Sequence, residues 1–333
     1  MSKPPEKNQG AVAYVVVCWN NKDLIDECIE SINQQTYPNK KIILVDNASA
    51  DDTVQYVGTK YPDVKVLPQK KNYGFAKGNN IGIKEALRSP DVKHVVLLNT
   101  DATLKEDWTM TVASFAESKP KAATLQTITL DYYDHDIIDS THIYISRTGQ
   151  GIQGSYRRST SDGLDVPALK TFGCNAAAML ITRKFIEAQP FRNFFDEGMF
   201  MYLEDVDVAA RATVMGWDNY VVPGSRAYHM GSASSGKNPG FSLYMTYRNN
   251  SRVLLVNLPF FMFLKIMPKV IRGDGATVKT MRKRGKDQAA QKIIHGRLNG
   301  LLRLSLALPR FIRMRFAKKI TYKELWQIMD KGF

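Results

Sequence analysis

Apolar positions along the first two-thirds of the chain follow two alternating patterns. Short aliphatic runs, typical of buried strands, recur in VAYVVVCW, KIILVDN, VKVLPQ and VKHVVLLNTD. The segments between them, DLIDECIESINQQ, DDTVQYVGTKY and FAKGNNIGIKEAL, favour helices, and Leu24, Cys28 and Ile32 share one helix face. Asp51 and Asp52 are expected to cap the second helix. This alternation predicts an α/β fold with a mostly parallel central sheet and helices on both faces.

Polar residues stand where three of the predicted strands end, at Asn20, Asp46 and Asp101. Ligands of open parallel sheets bind beyond the carboxyl ends of the strands, so these side chains are expected along one crevice. Asp46 is suited to accept hydrogen bonds from a base or ribose, although a turn or cap also explains it. Asp101 has a comparable alternative as the cap of the helix predicted after it. No G-x-G-x-x-G follows the first strand, which argues against NAD.

A second group of acids begins another predicted helix, in FDEGMFMYLEDVDVAARATVMGW. Glu204, Asp205 and Asp207 lie in its first turn. Its buried side is marked by apolar residues at i, i+4 and i+8, namely Val206, Ala210 and Val214. Acids at a helix start complement the helix dipole, which explains one or two of them well. It does not explain why three acids follow a loop rich in glycine and aromatic residues.

Composition and charge restrict the protein's class. With 333 residues and 44% apolar content the chain is long enough for a large globular core. Its three cysteines lack metal-ligand spacing and indicate buried thiols in a reducing compartment. The start MSKPPEKNQG has no apolar signal region, which favours the cytosol. Through Pro259 there are 28 basic and 28 acidic residues, whereas from Phe260 onward there are 18 and 4.

Six motifs together carry a family resemblance. In order, they are VVVCWNNKD, ILVDNASADDT, NYGFAKGNNIGI, VVLLNTDA, FDEGMFMYLEDVDVAARA and AYHMGSAS. Residues 11–238 resemble a bacterial family 2 glycosyltransferase of the GT-A fold, close to the rhamnosyltransferase-like branch. The resemblance implies a Rossmann-like sheet, a nucleotide-sugar donor, Mg²⁺ or Mn²⁺, and transfer with inversion at the sugar.

The resemblance also implies roles for individual residues. NTD at Asn99 to Asp101 resembles the D-x-D metal element with its first acid replaced, so Asp101 is the expected metal ligand and His229 a second one. Asp205 resembles the catalytic base and Glu204 its support; Gly173, Asn175 and Asp207 are expected near the acceptor. The donor-binding set comprises Asn20, Asp46, Asn72, Gly74, Phe75, Gly78, Asn79, Asn99, Thr100 and Asp101. For Gly74 and Gly78, tight helix packing alone is the alternative.

The last third of the chain differs from the rest in its pattern of apolar and basic residues. VLLVNLPFFMFLKIMPKVI is broken by prolines and a lysine, and its uncharged run is too short to span a bilayer. GRLNGLLRLSLALPRFIRMRFAKK mixes leucines with arginines as a basic amphipathic surface helix does. We therefore expect residues 239–333 to be a helical region that associates with an anionic membrane surface. Helices packed on the catalytic domain are the alternative, and nucleic acid is disfavoured because aromatics do not interleave with the basic residues.

These patterns predict a disordered segment over residues 1–10, a catalytic domain over 11–238 and a membrane-association region over 239–333. The expected activity is transfer of a sugar from dTDP-rhamnose or a UDP-hexose to a polyprenyl-linked glycan, on the inner face of the cell membrane. Two rivals stay open: a sugar nucleotidyltransferase, which needs a glycine-rich basic loop that CWNNKDL lacks, and a non-catalytic adaptor on a degenerate fold. Residues 131–170 suggest a strand excursion or flap. Their chemistry and the oligomeric state are not assigned.

Overall fold

The computed structural model describes residues 10–160, 169–231 and 239–330. The segment predicted to be disordered, residues 1–10, lies outside these ranges except for Gly10. Residues 232–238 of the loop predicted after His229 also lie outside them. The strands are β1 (Ala11–Cys18), β2 (Lys40–Asp46), β3 (Lys65–Pro68), β4 (Val92–Leu98), β5 (Ala102–Leu104), β6 (Ala122–Asp131), β7 (Ile138–Ser140), β8 (Ile143–Ile145), β9 (Gly151–Gln153), β10 (Leu169–Thr171), β11 (Ala178–Thr182) and β12 (Asp218–His229).

The central sheet is mixed. Along its main path the order is β10-β12-β6-β11-β4-β1-β2-β3, with β5 paired to β12 and β7 to β6. Strands β3, β2, β1 and β4 are parallel, as predicted from the first strand and helix repeats. Strand β11 then runs antiparallel to both β4 and β6, while β12 is again parallel to β6. The carboxyl ends of β1, β2 and β4 therefore meet at one edge, as the sequence indicated.

Helices cover both faces of this sheet. They are α1 (Lys22–Asn33), α2 (Thr53–Lys60), α3 (Gly74–Ala86), α4 (Trp108–Glu117), α5 (Arg183–Glu187), α6 (Glu204–Val214), α7 (Pro239–Asn257), α8 (Phe260–Lys283), α9 (Asp287–Leu302), α10 (Leu308–Ala317) and α11 (Tyr322–Asp330). Asp52 occupies the N-cap position of α2, but its side chain makes no capping hydrogen bond. Asp51 instead accepts a hydrogen bond from the backbone N–H of Lys22, so it ties the start of α1 to the loop between β2 and α2.

Strand β1 shows how the two faces are filled. Val12, Tyr14 and Val16 point into a core formed with α1, α2 and α4. Ala13 and Val15, on the opposite face, pack in a second core with α3, α5 and α6. Both sides of the strand are apolar because helices bury both faces, which is why its sequence reads as a continuous aliphatic run.

A third core joins the C-terminal helices to the rest of the fold. It contains residues from α6, from the β8–β9 hairpin and from α7, α8, α10 and α11. Helix α9 approaches α7 closely at two glycines, Gly296 and Gly300. A Cβ at either position would lie 2.4 Å from a backbone oxygen of α7, so the lack of a side chain permits this contact. The boundary expected at residue 238 stays a prediction, and apolar packing is continuous across it.

The segment predicted to be a basic amphipathic helix is helical, but it differs from one continuous surface helix in two respects. It is divided into α9 and α10 by a 3₁₀ turn, and Pro309 sits at the start of α10, where a missing N–H is tolerated. Three of its arginines also turn inward: Arg297 pairs with Asp274, Arg310 with Asp196, and Arg315 donates to the carbonyl of Val256. Among the described residues, no helix is long and apolar enough to cross a membrane.

Candidate active site

A cleft of about 770 Å³ opens at the carboxyl ends of β1 and β4. Its other walls are the start of α3, the start of α6 with the loop before it, the β8–β9 hairpin and the start of α7. This volume suits a small-molecule ligand, and the position is the one expected from the ends of parallel strands. The cleft therefore collects segments that lie far apart in the sequence.

Ten of the predicted site residues line this cleft. They are Asn72, Gly74, Phe75, Asn99, Thr100, Asp101, Asn175, Glu204, Asp205 and His229. Sequence reasoning missed further lining residues, among them Trp19, Asn21, Asn47, Phe200 and Phe241. Trp19 is half exposed, which is unusual for so large an aromatic side chain and is a property that a ligand-facing residue would have.

Strand pairing brings Asp101 and His229 together. Strand β5, which begins just after Asp101, pairs antiparallel with the end of β12 so that Ala102 lies opposite His229. The Nε2 atom of His229 is 3.4 Å from Oδ1 of Asp101, and its Nδ1 is 3.0 Å from Oδ2 of Asp139. Asp101 does not cap the following helix, because Asp107 occupies that N-cap position.

The charges around His229 are strongly coupled. Burial alone lowers the pKa of His229, but the hydrogen bonds and negative charges of Asp101 and Asp139 outweigh it and raise the pKa to about 10. Asp139, which sequence analysis missed, thus fixes the orientation of the ring. A carboxylate behind a histidine is the usual arrangement that orients a metal-binding imidazole.

Asp101 and His229 can hold a divalent cation only as part of a shared site, and only when the cation displaces the Nε2 proton that His229 carries at neutral pH. Carboxylate oxygen and imidazole nitrogen are both suitable ligands for Mn²⁺, and Mg²⁺ commonly takes one or two carboxylates plus phosphate oxygens. Within residues 10–160, 169–231 and 239–330, no three His, Cys, Asp or Glu side chains are grouped as a metal site. Oxygens of a ligand would have to complete the coordination.

Asparagine side chains bind together the loops around the strand ends. Asn21 donates to Oγ1 of Thr100 at 3.1 Å, joining the end of β1 to the end of β4. Asn47 donates to the carbonyl of Gly74, and Asn72 accepts from the Gly74 N–H. The loops after β1, β2 and β4 and the start of α3 therefore form one connected wall.

The glycines of α3 serve close packing. A Cβ at Gly78 would lie 2.8 Å from Val17, and one at Gly82 would lie 2.2 Å from Val15, so both let α3 rest on β1. Gly74 has a φ of +78°, and a Cβ there would meet the backbone oxygen of Phe200 at 2.4 Å. Gly78 thus permits close packing of α3 on β1, whereas Gly74 joins the strand-end wall to the loop before α6.

The two acids at the start of α6 have different electrostatics. Burial raises the pKa of Asp205 to about 6, opposed by the N–H groups of Val206 and Ala176, so its carboxylate is ionised at neutral pH. Burial and then the negative charge of Asp205 raise the pKa of Glu204 to about 8. At pH 7 the pair therefore holds one negative charge, on Asp205, beside a neutral carboxylic acid.

The loop before these acids has an unusual backbone. Phe200, Tyr202 and Leu203 all have positive φ, between 65° and 73°. Such conformations cost on the order of 1–3 kcal/mol each and persist only where the surroundings impose them. Here the Nδ2 atom of Asn249 lies within 3.0 Å of the carbonyl oxygens of three loop residues, Met199, Met201 and Tyr202. Helix α7 thus holds the loop that leads into α6, where Asp205 lies.

Six predicted site residues lie behind the cleft wall instead of lining it. Asn20 has a φ of +53° and accepts from the Ala50 N–H, so the next residue, Asn21, takes the position facing the cleft. Asp207 is fully buried in an ion pair with Arg211. The other four are Asp46, Gly78, Asn79 and Gly173. We assign these residues to support of the cleft.

Three of these supporting residues have their contacts within the fold. Asp46 accepts from the Ser49 N–H, and its Oδ1 has no hydrogen-bond partner among the described residues. Asn79 donates to the carbonyl of Phe75 one turn earlier in α3. A Cβ at Gly173 would clash with Ala209, so this glycine permits close approach of α6.

The flap predicted within residues 131–170 forms a hairpin in the part of it that the structure describes, and residues 161–168 lie outside the described ranges. Strands β8 and β9 make a two-stranded hairpin separate from the central sheet. Ile143, Gly151, Ile152 and Gln153 of this hairpin line the cleft beside Asp205. The hairpin therefore forms an apolar edge opposite the polar wall at the strand ends.

Comparison with known families decides the class. The model of the family described as "Glycosyl transferase family 2" matches residues 14–188, more than half of the chain. The chain belongs to this family. Its matched region includes Asp101 and the loops after β1, β2 and β4, although α6 with Asp205 lies beyond it.

Relatives of this family 2 glycosyltransferase include two rhamnosyltransferases. Rhamnosyltransferase WbbL of Escherichia coli K12 is 27% identical over 239 residues, covering 66% of this chain and 83% of that protein. The N-acetylglucosaminyl-diphospho-decaprenol L-rhamnosyltransferase of Mycobacterium tuberculosis is 24% identical over 249 residues, covering 69% and 79%. The predicted rhamnosyltransferase-like resemblance is thereby confirmed.

Solved structures confirm the GT-A fold of the family 2 chain. GalNAc-T7, solved with UDP, GalNAc and Mn²⁺, superposes with a TM-score of 0.57 at 16% identity over 75% of this chain and 48% of that one. The mannosyltransferase PcManGT of Pyrobaculum calidifontis, solved with GDP-Man and Mn²⁺, gives 0.53 at 15% identity over 98% and 91%. The second match extends through the C-terminal helices.

Proposed function

We propose that this glycosyltransferase moves a sugar, with inversion, from a nucleoside diphosphate donor to a hydroxyl of a polyprenyl-diphosphate-linked glycan in cell-surface polysaccharide synthesis. The observation that carries the proposal is the presence of Asp101, His229 and the ionised Asp205 in one cleft. The names of the rhamnosyltransferase relatives support dTDP-rhamnose as donor, with a UDP-hexose as the alternative, and a lipid-linked acceptor.

Asp205 is the proposed general base. Its carboxylate takes the proton from the acceptor hydroxyl while that oxygen forms a bond to the anomeric carbon. The bond from the anomeric carbon to the diphosphate oxygen breaks on the opposite face, and the nucleoside diphosphate leaves with the electron pair. Neutral Glu204 can donate a hydrogen bond and so orient the acceptor or the base.

The protonation state of Cys18 is also consistent with direct displacement at the anomeric carbon. Cys18 lines the cleft, but burial raises the pKa of its thiol to about 11, so it is a poor nucleophile at neutral pH. Asp205 has its Oδ1 engaged with the Val206 N–H at 2.7 Å, which orients the carboxylate at the head of α6. These features favour base catalysis over a covalent intermediate on the protein.

Asp101 and His229 are the proposed protein ligands of the divalent cation, Mg²⁺ or Mn²⁺. When bound there, the cation neutralises negative charge on the departing diphosphate. Asp139 holds the His229 ring, while Asn21 and Thr100 brace the loop that carries Asp101. The asparagine-rich wall at the strand ends is the proposed place for the nucleoside and diphosphate.

Membrane association is the proposed role of the outer surface of the C-terminal helices. On α10, Leu308, Ile312 and Phe316 form an exposed stripe at i, i+4 and i+8. Phe260 and Phe261 at the start of α8 are also about half exposed. An apolar face flanked by an excess of basic residues suits the anionic inner surface of a cell membrane.

The first test measures nucleotide binding and transfer. Calorimetry with UDP, dTDP and GDP, each with Mn²⁺ and again with EDTA, is expected to show micromolar, metal-dependent binding of one nucleotide. Transfer is then followed from dTDP-rhamnose or UDP-glucose to a short-chain polyprenyl diphosphate bearing N-acetylglucosamine. Absence of binding and of transfer would contradict the proposal and favour a non-catalytic adaptor.

A separate test addresses the membrane. Co-sedimentation with vesicles containing anionic phosphatidylglycerol is expected to exceed that with neutral phosphatidylcholine vesicles. Ile312→Asp with Phe316→Asp should reduce it, because both side chains belong to the exposed stripe, Ile312 by 53% and Phe316 by 87% of its surface. Equal sedimentation of the wild type with both kinds of vesicle would refute the proposed anionic surface.

A further inference from the structure

The hairpin on the apolar edge of the cleft is held from the C-terminal helices. Its turn, residues 146–150, is closed by backbone hydrogen bonds between Ser146 and Gly149 and between Ser146 and Gln150. Gly149 has a φ of +78°, and a Cβ there would lie 2.7 Å from Val270 and 2.8 Å from Ile266 of α8. The turn is therefore pressed directly against α8.

One buried side chain bonds to this turn. Asn250 of α7 donates from Nδ2 to the Gly149 carbonyl at 2.7 Å. Its Oδ1 accepts from Nη1 of Arg297 in α9 at 3.0 Å. The two partners leave one orientation for the amide, since a guanidinium can only donate and a carbonyl can only accept.

Arg297 is itself fixed from a third helix. Its Nε donates to Asp274 of α8 at 2.6 Å, and its Nη1 donates to Oγ of Ser251 at 2.6 Å. Asp274, Arg297 and Asn250 are each exposed by only 7–8%. A buried polar chain therefore runs from α8 through α9 and α7 to the hairpin turn, and every step is a hydrogen bond.

The residue that directly follows the turn, Gly151, contacts the segment that contains the proposed base. A Cβ at Gly151 would lie 3.2 Å from Val206 and 3.3 Å from Leu203, which flank Glu204 and Asp205. Asn249, the neighbour of Asn250, holds the loop on the other side of these acids. Asn249 and Asn250, which are consecutive in α7, therefore hold the loop before α6 and the hairpin turn, the two segments that enclose the base.

We propose that Asn250, oriented by Arg297 and Asp274, is a positioning residue for acceptor binding: it sets the place of the hairpin edge beside Asp205. The inference rests on the proposed function. It makes the C-terminal helices part of acceptor recognition, apart from any contact they make with a membrane. None of the side chains in this hydrogen-bonded series belongs to the strand-end wall, which is the proposed place for the nucleoside and diphosphate.

Asn250→Asp in the full-length protein tests the proposal. The carboxylate keeps the shape of the side chain and still accepts the hydrogen bond from Arg297. It cannot donate to the Gly149 carbonyl, so two hydrogen-bond acceptors face each other there. We expect the KM for the polyprenyl-diphosphate N-acetylglucosamine acceptor to rise about tenfold. The Kd of the donor nucleotide is expected to change less than twofold. Amides of residues 143–153 should also exchange with deuterium faster.

Gln35→Glu is the matched control. Gln35 is buried, donates to the carbonyls of Ser31 and Lys105, and does not line the cleft. The same amide-to-acid change there should lower the melting temperature and leave the acceptor KM and hairpin exchange unchanged. If Asn250→Asp does not fold, Asn250→Ser removes both amide contacts without adding charge and is judged by the same measurements.

The outcomes separate this inference from the proposed function. An unchanged acceptor KM in the folded variant, or equal losses for donor and acceptor, would overturn the positioning role while wild-type transfer stands. A wild type that transfers no sugar would overturn the proposed function instead. Unchanged hairpin exchange in the variant would show that Asn250 does not hold the turn, whatever the activity.

Discussion

The two sides of the cleft are constructed differently. The strand-end side uses loops that directly follow β1, β2 and β4, and its side chains bond to neighbouring loops of the same sheet edge. The side around Asp205 is assembled from α6, the hairpin and α7, which are distant in sequence and meet through Asn249 and Asn250. The first side depends on local strand geometry, and the second depends on the correct packing of the C-terminal helices.

This difference predicts which part of the reaction each substitution affects. Changes at the strand ends should act on donor and metal, whereas changes around α6 should act on the chemical step and the acceptor. Substitutions where the two sides touch, at Gly74 and Phe200, should act mainly on stability.

Asp205→Asn is expected to have the largest effect. The amide cannot accept the proton of the acceptor hydroxyl, so the transfer rate should fall by roughly 10²–10⁴-fold. Rates are measured with dTDP-rhamnose and the lipid-linked acceptor, and donor binding by calorimetry should persist. Full transfer activity in this variant would remove Asp205 as the base.

Asp101→Asn should affect the other side. Loss of the charged ligand is expected to weaken Mn²⁺-dependent nucleotide binding by about 10–100-fold. Calorimetry with Mn²⁺ and with EDTA measures the change. Asp107→Asn is the control, because Asp107 is about half exposed and bonds to Ser225 away from the cleft. Equal losses in both variants would contradict a special role for Asp101.

The pH dependence should report the electrostatics of α6. Since the pKa of Asp205 is raised to about 6, the transfer rate should fall about tenfold per pH unit below pH 6. The pKa values of Asp205 and Glu204 are raised on folding from 3.8 and 4.5, so their protons bind the folded state more tightly. Their stabilising contribution is complete below about pH 4 and is lost as pH rises through about 6 for Asp205 and about 8 for Glu204. Rate profiles and melting temperatures between pH 4 and 9 check both statements.

Gly74→Ala should have the smallest effect on chemistry and a clear effect on stability. The added methyl meets the Phe200 carbonyl at a positive φ, which should cost on the order of 1–3 kcal/mol in the free energy of unfolding. Gly58→Ala is the matched control. Gly58 lies in α2 with nothing within 4 Å of the new Cβ, so stabilisation of about 0.4–1 kcal/mol is expected. Urea unfolding measures both.

The strand-end side was largely readable from sequence. Aliphatic runs that end in polar residues identify both the parallel strands and the crevice at their ends, which is how Asp101 could be predicted. The error at Asn20 has a local cause: the positive φ of this residue turns its side chain into the loop and leaves Asn21 facing the cleft. The pattern of apolar and polar residues gives no indication of such a turn in the backbone.

The other side of the cleft could be predicted only in part. Asp205 was found through the family motif and the helix pattern. Asn249, Asn250 and Asp139 were missed, because their partners are more than 45 residues away and no local periodicity marks them. The arginines of the last helices were misread for the same reason, since a basic side chain with a buried partner has the same local pattern as a solvated one.

The pairing of β5 with β12 has a consequence for insertions and deletions. His229 faces Asp101 because the ladder from Arg226 to His229 keeps strict register with β6 and β5. Just upstream, residues 222–225 bulge out of the β6 pairing. A chain length change within that bulge can be absorbed, whereas a single residue added between Arg226 and His229 would turn the imidazole to the opposite face of the sheet. Natural length variation in this strand should therefore concentrate at the bulge.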